Sequence, residues 1–204
     1  MAELRSGPDH SAQAQESASD HAGALAANLR RLRRERGLTL DGLAAASGVS
    51  RAMLSKVERG VSVPTATVLG KIAGGLEVGL SQLVGPLRER APALLRPEEQ
   101  PVYRDPETGF ERRSLSPLFP DRRVDFARNF LPPGAAAIFP PHRRGVEEYL
   151  YVVSGSLIVV VDGARHAVGP GSSLYYPGHV AHEFRNESDA PTVFFVVIDS
   201  AAAL

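Results

Sequence analysis

From about residue 22 the apolar positions recur at helical spacing. Leu25, Leu29 and Leu32 stand four and three residues apart, Arg30, Arg31, Arg33, Arg34 and Arg36 occupy the faces between them, and Gly37 closes the stretch. Thr39 is placed to cap a second helix over LDGLAAAS, Gly48 breaks it, and Ser50 caps a third, RAMLSKVER, ending at Gly60. After Pro64, the residues Val68, Leu69, Ile72, Ala73 and Leu76 form one stripe of a fourth helix. Gly70 weakens it by about 1 kcal/mol relative to alanine. LSQLV adds a fifth turn of helix.

The pattern then changes. GPLRERAPALLRPEEQP, residues 85–101, is rich in proline and charge with a poor helical period, and reads as a linker. Beyond it, short β-prone runs alternate with Gly and Pro: RVDFARNFL, EEYLYVVSG, SLIVVVDG, SSLYYPG, AHEFRNES and TVFFVVI. Evenly spaced short strands of this kind predict an all-β sandwich or barrel. Residues 1–21 carry Ser, Ala, Gln and Asp with few large apolar side chains and read as a flexible tail. The chain therefore divides into a tail (1–21), a helical domain (22–84), a linker (85–101) and a β domain (102–204).

At 204 residues the chain is long enough for one large domain or two small ones, each able to bury a core. It has no cysteine, which removes disulfides, thiolate nucleophiles and cysteine-bound zinc. No apolar run approaches the roughly 20 residues of a membrane helix, and the N-terminal stretch lacks a signal-peptide core, so a cytoplasmic protein without membrane contact is expected. The net charge is zero, but residues 22–83 hold nine Lys or Arg against four Asp or Glu. That local surplus of five suggests a polyanionic partner for the helical domain.

GLTLDGLAAASGVSRAMLSKVERG has the physics of a helix-turn-helix. Leu40, Leu43, Ala44, Val49, Leu54 and Val57 face the bundle, which leaves Arg51, Ala52, Ser55 and Lys56 directed outward. With LRRLRRERGLTLDGLA before it and PTATVLGKIAGGL after it, residues 25–83 resemble the Cro/C1-type helix-turn-helix of the xenobiotic-response-element family of bacterial repressors. The resemblance implies a bundle of about five helices. It puts base reading on Arg51, Ala52, Ser55 and Lys56, and phosphate contacts on Thr39, Ser50, Arg59 and the first-helix arginines. Arg51 is the residue suited to guanine, because its fork spans two acceptors in the major groove. One such unit reads few base pairs, so a homodimer on double-stranded operator DNA is expected.

The strands of residues 102–199 resemble the cupin barrel, a double-stranded β-helix or jelly roll. Gly134, His142, Glu148 and Gly155 match its first motif, with Arg144 where the family has a second histidine; Gly171, Pro177, His182 and Asn186 complete its second. The resemblance implies an α+β chain in two domains, with His142, Glu148 and His182 as three of four metal-ligand positions. Two imidazoles and a carboxylate suffice for a divalent metal such as Fe, Zn, Ni or Mn, although the permanent cation of Arg144 opposes one nearby. The other reading is a pocket with no required cofactor, in which Arg144, Glu148, Tyr151 and His182 bind a small-molecule effector through its carboxylate or phosphate. Alternation along the strands leaves open which of Tyr149, Tyr151, Tyr175 and Tyr176 face inward.

The expected function is a transcriptional regulator that binds operator DNA and senses an effector in its cupin domain, with no catalytic residues. The alternative class is a non-haem iron-dependent cupin oxidase or epoxidase carrying a helix-turn-helix. A third reading makes the barrel a dimerisation module only.

Overall fold

A computed structural model describes residues 10–86, 91–119 and 123–200, and for residues 10–21 the backbone alone. Residues 1–9 of the expected tail and 87–90 of the expected linker lie outside the described residues. Helix α1 runs from His10 to Glu35, so helical backbone starts inside the segment read as a tail. Alanine and glutamine are strong helix formers, and extending a helix already nucleated downstream requires no second nucleus.

Four shorter helices follow: α2 (Leu40–Ser47), α3 (Arg51–Glu58), α4 (Ala66–Gly75) and α5 (Leu80–Val84). Their ends sit where side-chain chemistry puts them. Thr39 Oγ1 accepts the Gly42 N–H at 3.0 Å, Ser50 Oγ accepts the Met53 N–H at 3.3 Å, and Gly37 and Gly48 turn the chain at φ of 64° and 67°. Leu29, Leu43, Leu54, Val57, Leu69, Ile72 and Leu76 are fully buried between the helices, with Leu40 and Ala44 packed at the margin. No helix among the described residues is long and apolar enough to cross a membrane.

After one 3-10 turn at Pro97–Glu99 come ten antiparallel strands. They are β1 (Val102–Arg104), β2 (Glu111–Ser114), β3 (Val124–Leu131), β4 (Ala136–Phe139), β5 (Glu147–Ser154), β6 (Leu157–Val161), β7 (Ala164–Val168), β8 (Ser173–Pro177), β9 (His182–Arg185) and β10 (Thr192–Asp199). One sheet has the order β1-β2-β3-β10-β5-β8, and the other β4-β9-β6-β7. Alternation along β3, β5 and β10 buries Ala127, Leu131, Leu150, Val152, Phe194 and Val196 on the inner face.

The two domains do not have separate cores. Helix α4 lies on β4, and buried residues of both halves form one continuous apolar cluster. Polar groups along the seam are matched: Tyr103 donates its hydroxyl to the Pro64 carbonyl at 2.8 Å, and the Asp105 carboxylate accepts the Ala66 N–H of α4 at 2.5 Å. Ser81 of α5 donates to Asp125 at 2.7 Å, and Asp125 also pairs with buried Arg112 at 3.2 Å.

Gly70 explains the closeness of this seam. A Cβ at that position would stand 2.7 Å from Cδ and 3.2 Å from Cγ of Pro140, and 3.7 Å from Phe139. The helix therefore lacks a side chain where it meets the strand, and the propensity lost inside α4 is exchanged for contact. Gly70→Ala would recover about 1 kcal/mol of helix propensity but overpack the seam at a cost of about 1–3 kcal/mol. Net destabilisation in urea unfolding is the expected outcome, and a stabilised variant would mean that the seam yields freely.

Candidate functional site

The outward face of α3 carries Arg51, Ala52 and Lys56, all exposed, with Ser55 half-buried beside them. Arg51 pairs with Asp41 at the start of α2, at 3.2 Å, with both side chains largely exposed. A pair of that kind contributes about 0–1 kcal/mol, so Arg51 remains available to a stronger acceptor. Arg59 donates to the Ser55 hydroxyl, which ties two of the expected contacts together. Thr39 and Ser50, also exposed, use their hydroxyls as helix caps.

The back of α3 is held by charge. Glu58 is buried and receives two hydrogen bonds from Arg33, at 2.6 and 3.1 Å, while Arg30 donates to the Glu58 carbonyl at 2.8 Å. Arg33 is therefore paired within the protein and orients α3 against α1. Arg30 stays exposed, with its nearest Glu58 carboxylate oxygen 3.9 Å away. Arg31 is paired with Glu35 at 2.9 Å.

In the barrel, three residues from distant parts of the sequence converge. His142 lies in the loop before β5, Glu148 in β5 and His182 at the start of β9; one donor atom from each lies within 4.8 Å of the others. His142 Nε2 is 3.1 Å and His182 Nε2 is 3.4 Å from the same oxygen, Glu148 Oε1. Glu148 and His182 are almost wholly buried, while His142 is more open. Backbone pairing builds the cluster: His142 N–H donates to Gly178 at 2.9 Å, and Gly178 N–H donates to Val146 at 2.8 Å. Gly178 abuts the cluster, since a Cβ there would come within 3.2 Å of Glu148 Oε1 and 3.3 Å of the His142 ring.

The protonation pattern follows from the partners. His182 Nδ1 lies 3.1 Å from the Val180 carbonyl, which can only accept, so Nδ1 carries a proton and Nε2 is the nitrogen turned toward Glu148. Tyr176 donates its hydroxyl to the other carboxylate oxygen, Oε2, at 2.8 Å. Burial alone pushes the Glu148 carboxyl up, but the hydrogen bond from His142, the charges of His182 and His142 and the Tyr176 hydroxyl together hold it below the ordinary carboxylate value. Two imidazole nitrogens thus face an ionised oxygen in a buried place. The donor set of two histidines and one carboxylate fits a divalent metal.

Arg144 and Tyr151, expected in the same pocket, lie apart from it. Arg144 is exposed in the turn before β5 and makes no hydrogen bond or ion pair among the described residues. Its charge does not oppose a cation at the cluster through direct contact. Alternation along β5 puts Glu148, Leu150 and Val152 inward and leaves Tyr149, Tyr151 and Val153 exposed on the opposite face. Tyr149 and Tyr175 both donate to Glu147 on that outer face, at 3.0 and 3.3 Å. The inward tyrosine is Tyr176, directly opposite Glu148 across β5 and β8. Its signal was its place beside Pro177 in the second motif. Asn186 is structural: its amide donates to the carbonyls of Leu131, Pro132 and Ala190.

A helix-turn-helix family (HTH_3) matches residues 29–83, and a cupin domain family (Cupin_2) matches residues 130–198. Over 180 residues the chain is 32% identical to the HTH-type transcriptional regulator SutR of Escherichia coli (strain K12), covering 85% of this chain and 93% of that protein. It is 43% identical over 65 residues to the uncharacterized HTH-type transcriptional regulator y4dJ of Sinorhizobium fredii, covering 32% of this chain and 84% of that one. The crystal structure of an HTH_3 family transcriptional regulator from Vibrio cholerae matches with a TM-score of 0.74 and 30% identity, over 89% of this chain and 98% of that one. With a helix-turn-helix match followed by a cupin match, and with both SutR and the Vibrio cholerae protein similar over most of its length, the chain belongs to the Cro/C1-type, xenobiotic-response-element family of transcriptional regulators that carry a C-terminal cupin domain.

Proposed function

We propose that this regulator reads double-stranded operator DNA as a cytoplasmic homodimer, and that its cupin domain holds a divalent metal and senses a small-molecule effector. The observation that carries the DNA reading is the two-sidedness of α3. Its inner side is held by Glu58, Leu54 and Val57, while Arg51, Ala52 and Lys56 stand exposed in the positions that enter a major groove. Two symmetric copies would reach half-sites about 34 Å apart, one turn of DNA.

The metal reading rests on two imidazole nitrogens and a carboxylate oxygen converging on one place, with Tyr176 and the Val180 carbonyl orienting Glu148 and His182. A bound metal would supply a Lewis-acidic position for an oxygen or nitrogen of the effector. The barrel interior also keeps unspent polar groups: Arg112 Nε and both side-chain atoms of Asn129 are buried without a hydrogen-bond partner. Such groups favour a polar ligand in a cavity over a barrel that serves dimerisation alone. The same donor set is that of non-haem iron oxidases, the second reading. Consumption of dioxygen with a small substrate would favour that reading.

Two measurements test the proposal. Arg51→Ala should reduce discrimination between operator and scrambled DNA by about 1–3 kcal/mol, with non-specific affinity at the same salt nearly unchanged. An equal fall in both would make Arg51 a phosphate contact. Elemental analysis of protein purified without chelator should find near-stoichiometric divalent metal that is absent from His182→Ala. In a competition titration, Tyr176→Phe should hold that metal about 10–100-fold more weakly. Native protein without metal would leave the cluster as a proton-sharing pocket.

A further inference from the structure

Between the helical domain and the mouth of the barrel lies a cleft of about 310 Å³. Its helical wall is formed by Arg36 just beyond α1 and by the turn from α4 into α5. Its barrel wall is formed by Arg123 ahead of β3, by the loop holding His142 and Arg143, and by the end of β10.

Three guanidinium groups line this cleft, and among the described residues none of them is ion-paired. Arg36 makes only a 3.5 Å contact with the Leu32 carbonyl, and Arg143 donates to the Ser200 carbonyl at 3.2 Å. The acidic groups on the same walls are Glu77 and Asp125. Asp125 is already matched by Arg112 at 3.2 Å and by the Ser81 hydroxyl at 2.7 Å. Three cations therefore face one uncommitted carboxylate, between walls that also carry Leu118, Val146 and Ile198. A concave site with apolar walls and surplus guanidinium favours an organic molecule bearing carboxylate or phosphate groups.

We infer that this cleft binds a small organic anion, a di- or tricarboxylate or a phosphate-bearing compound, whose charge is met jointly by Arg36, Arg123 and Arg143. The anion would lie across the two domains, since Arg36 belongs to one and Arg123 and Arg143 to the other. It would also lie beside the metal cluster, because His142 lines the same cleft. Occupancy would favour one relative setting of the reading helix and the barrel, a consequence that rests on the regulator reading above; the binding itself does not.

Isothermal titration of the full chain with citrate, succinate and inorganic phosphate tests this, and the three probes separate carboxylate from phosphate chemistry. Saturable binding of at least one is expected. It should weaken about tenfold or more in Arg123→Gln and in Arg36→Gln, survive in part in Arg123→Lys, and persist in Arg144→Gln, whose side chain lies outside the cleft. Metal content should be the same in Arg123→Gln as in the native chain. Absence of binding by all three probes would overturn the inference, as would native-strength binding in both glutamine variants. Loss of binding in His182→Ala alone would place the anion on the metal cluster and overturn it too. Operator binding is assayed separately, so failure to recognise DNA would leave the anion result standing.

Discussion

Phe139 occupies the place on which both halves of the molecule depend. It ends β4 against α4, where Gly70 approaches closely, and its ring stacks on His182 with centroids 6.0 Å apart. Phe110 and Phe184 enclose the same ring at 5.7 and 5.8 Å. A single buried side chain thus forms part of the wall of the His142–Glu148–His182 cluster and part of the floor under the DNA-reading domain. Close-packed interiors transmit displacement because they hold few voids. The seam supplies a physical route by which a change at the cluster reaches α4, without requiring the segment at 85–101 to carry it.

The cluster itself is organised around one oxygen. Glu148 Oε1 faces two ring nitrogens while Oε2 is satisfied by Tyr176, so the carboxylate is held by one side and offered by the other. Position 144 then changes in meaning. An arginine at the place of a second histidine looks in the sequence like an electrostatic conflict, and in the fold it is a solvated turn residue. The conflict dissolves because the loop from Pro140 to Gly145 is anchored through His142 N–H to Gly178 and leaves residue 144 outside the anchored part.

Much of this was readable from the chain, and the failures have common causes. The helices declared themselves through caps and glycines, because Thr39, Ser50, Gly37 and Gly48 are locally decisive. The triad was readable only through the resemblance to the two cupin motifs, onto which His142, Glu148 and His182 fall. Strands β1, β2, β4 and β7 escaped notice since they do not alternate apolar and polar residues in the usual way: ARHAV is exposed along most of its length and ERRS buries an arginine. The inward choice of Tyr176 over Tyr151 depends on strand pairing, which no local pattern encodes. The inward role of Arg33 was missed for a related reason. A helical stripe shows which side chains share a face, but not that a buried glutamate from a later helix will claim one of them.

That buried glutamate also bears on how such a regulator could be redirected to new DNA. Exchanging the outward residues of α3 leaves Arg33 and Glu58 as partners, so the exposed surface of the helix is separable from its anchorage. Grafting an entire foreign helix is a different operation. If the donor lacks a carboxylate at position 58, Arg33 keeps its charge in a largely covered site with no counterpart, and the graft inherits a mis-set tilt before it meets any base. Sequence space around this reading head is therefore open on one side of α3 and closed on the other.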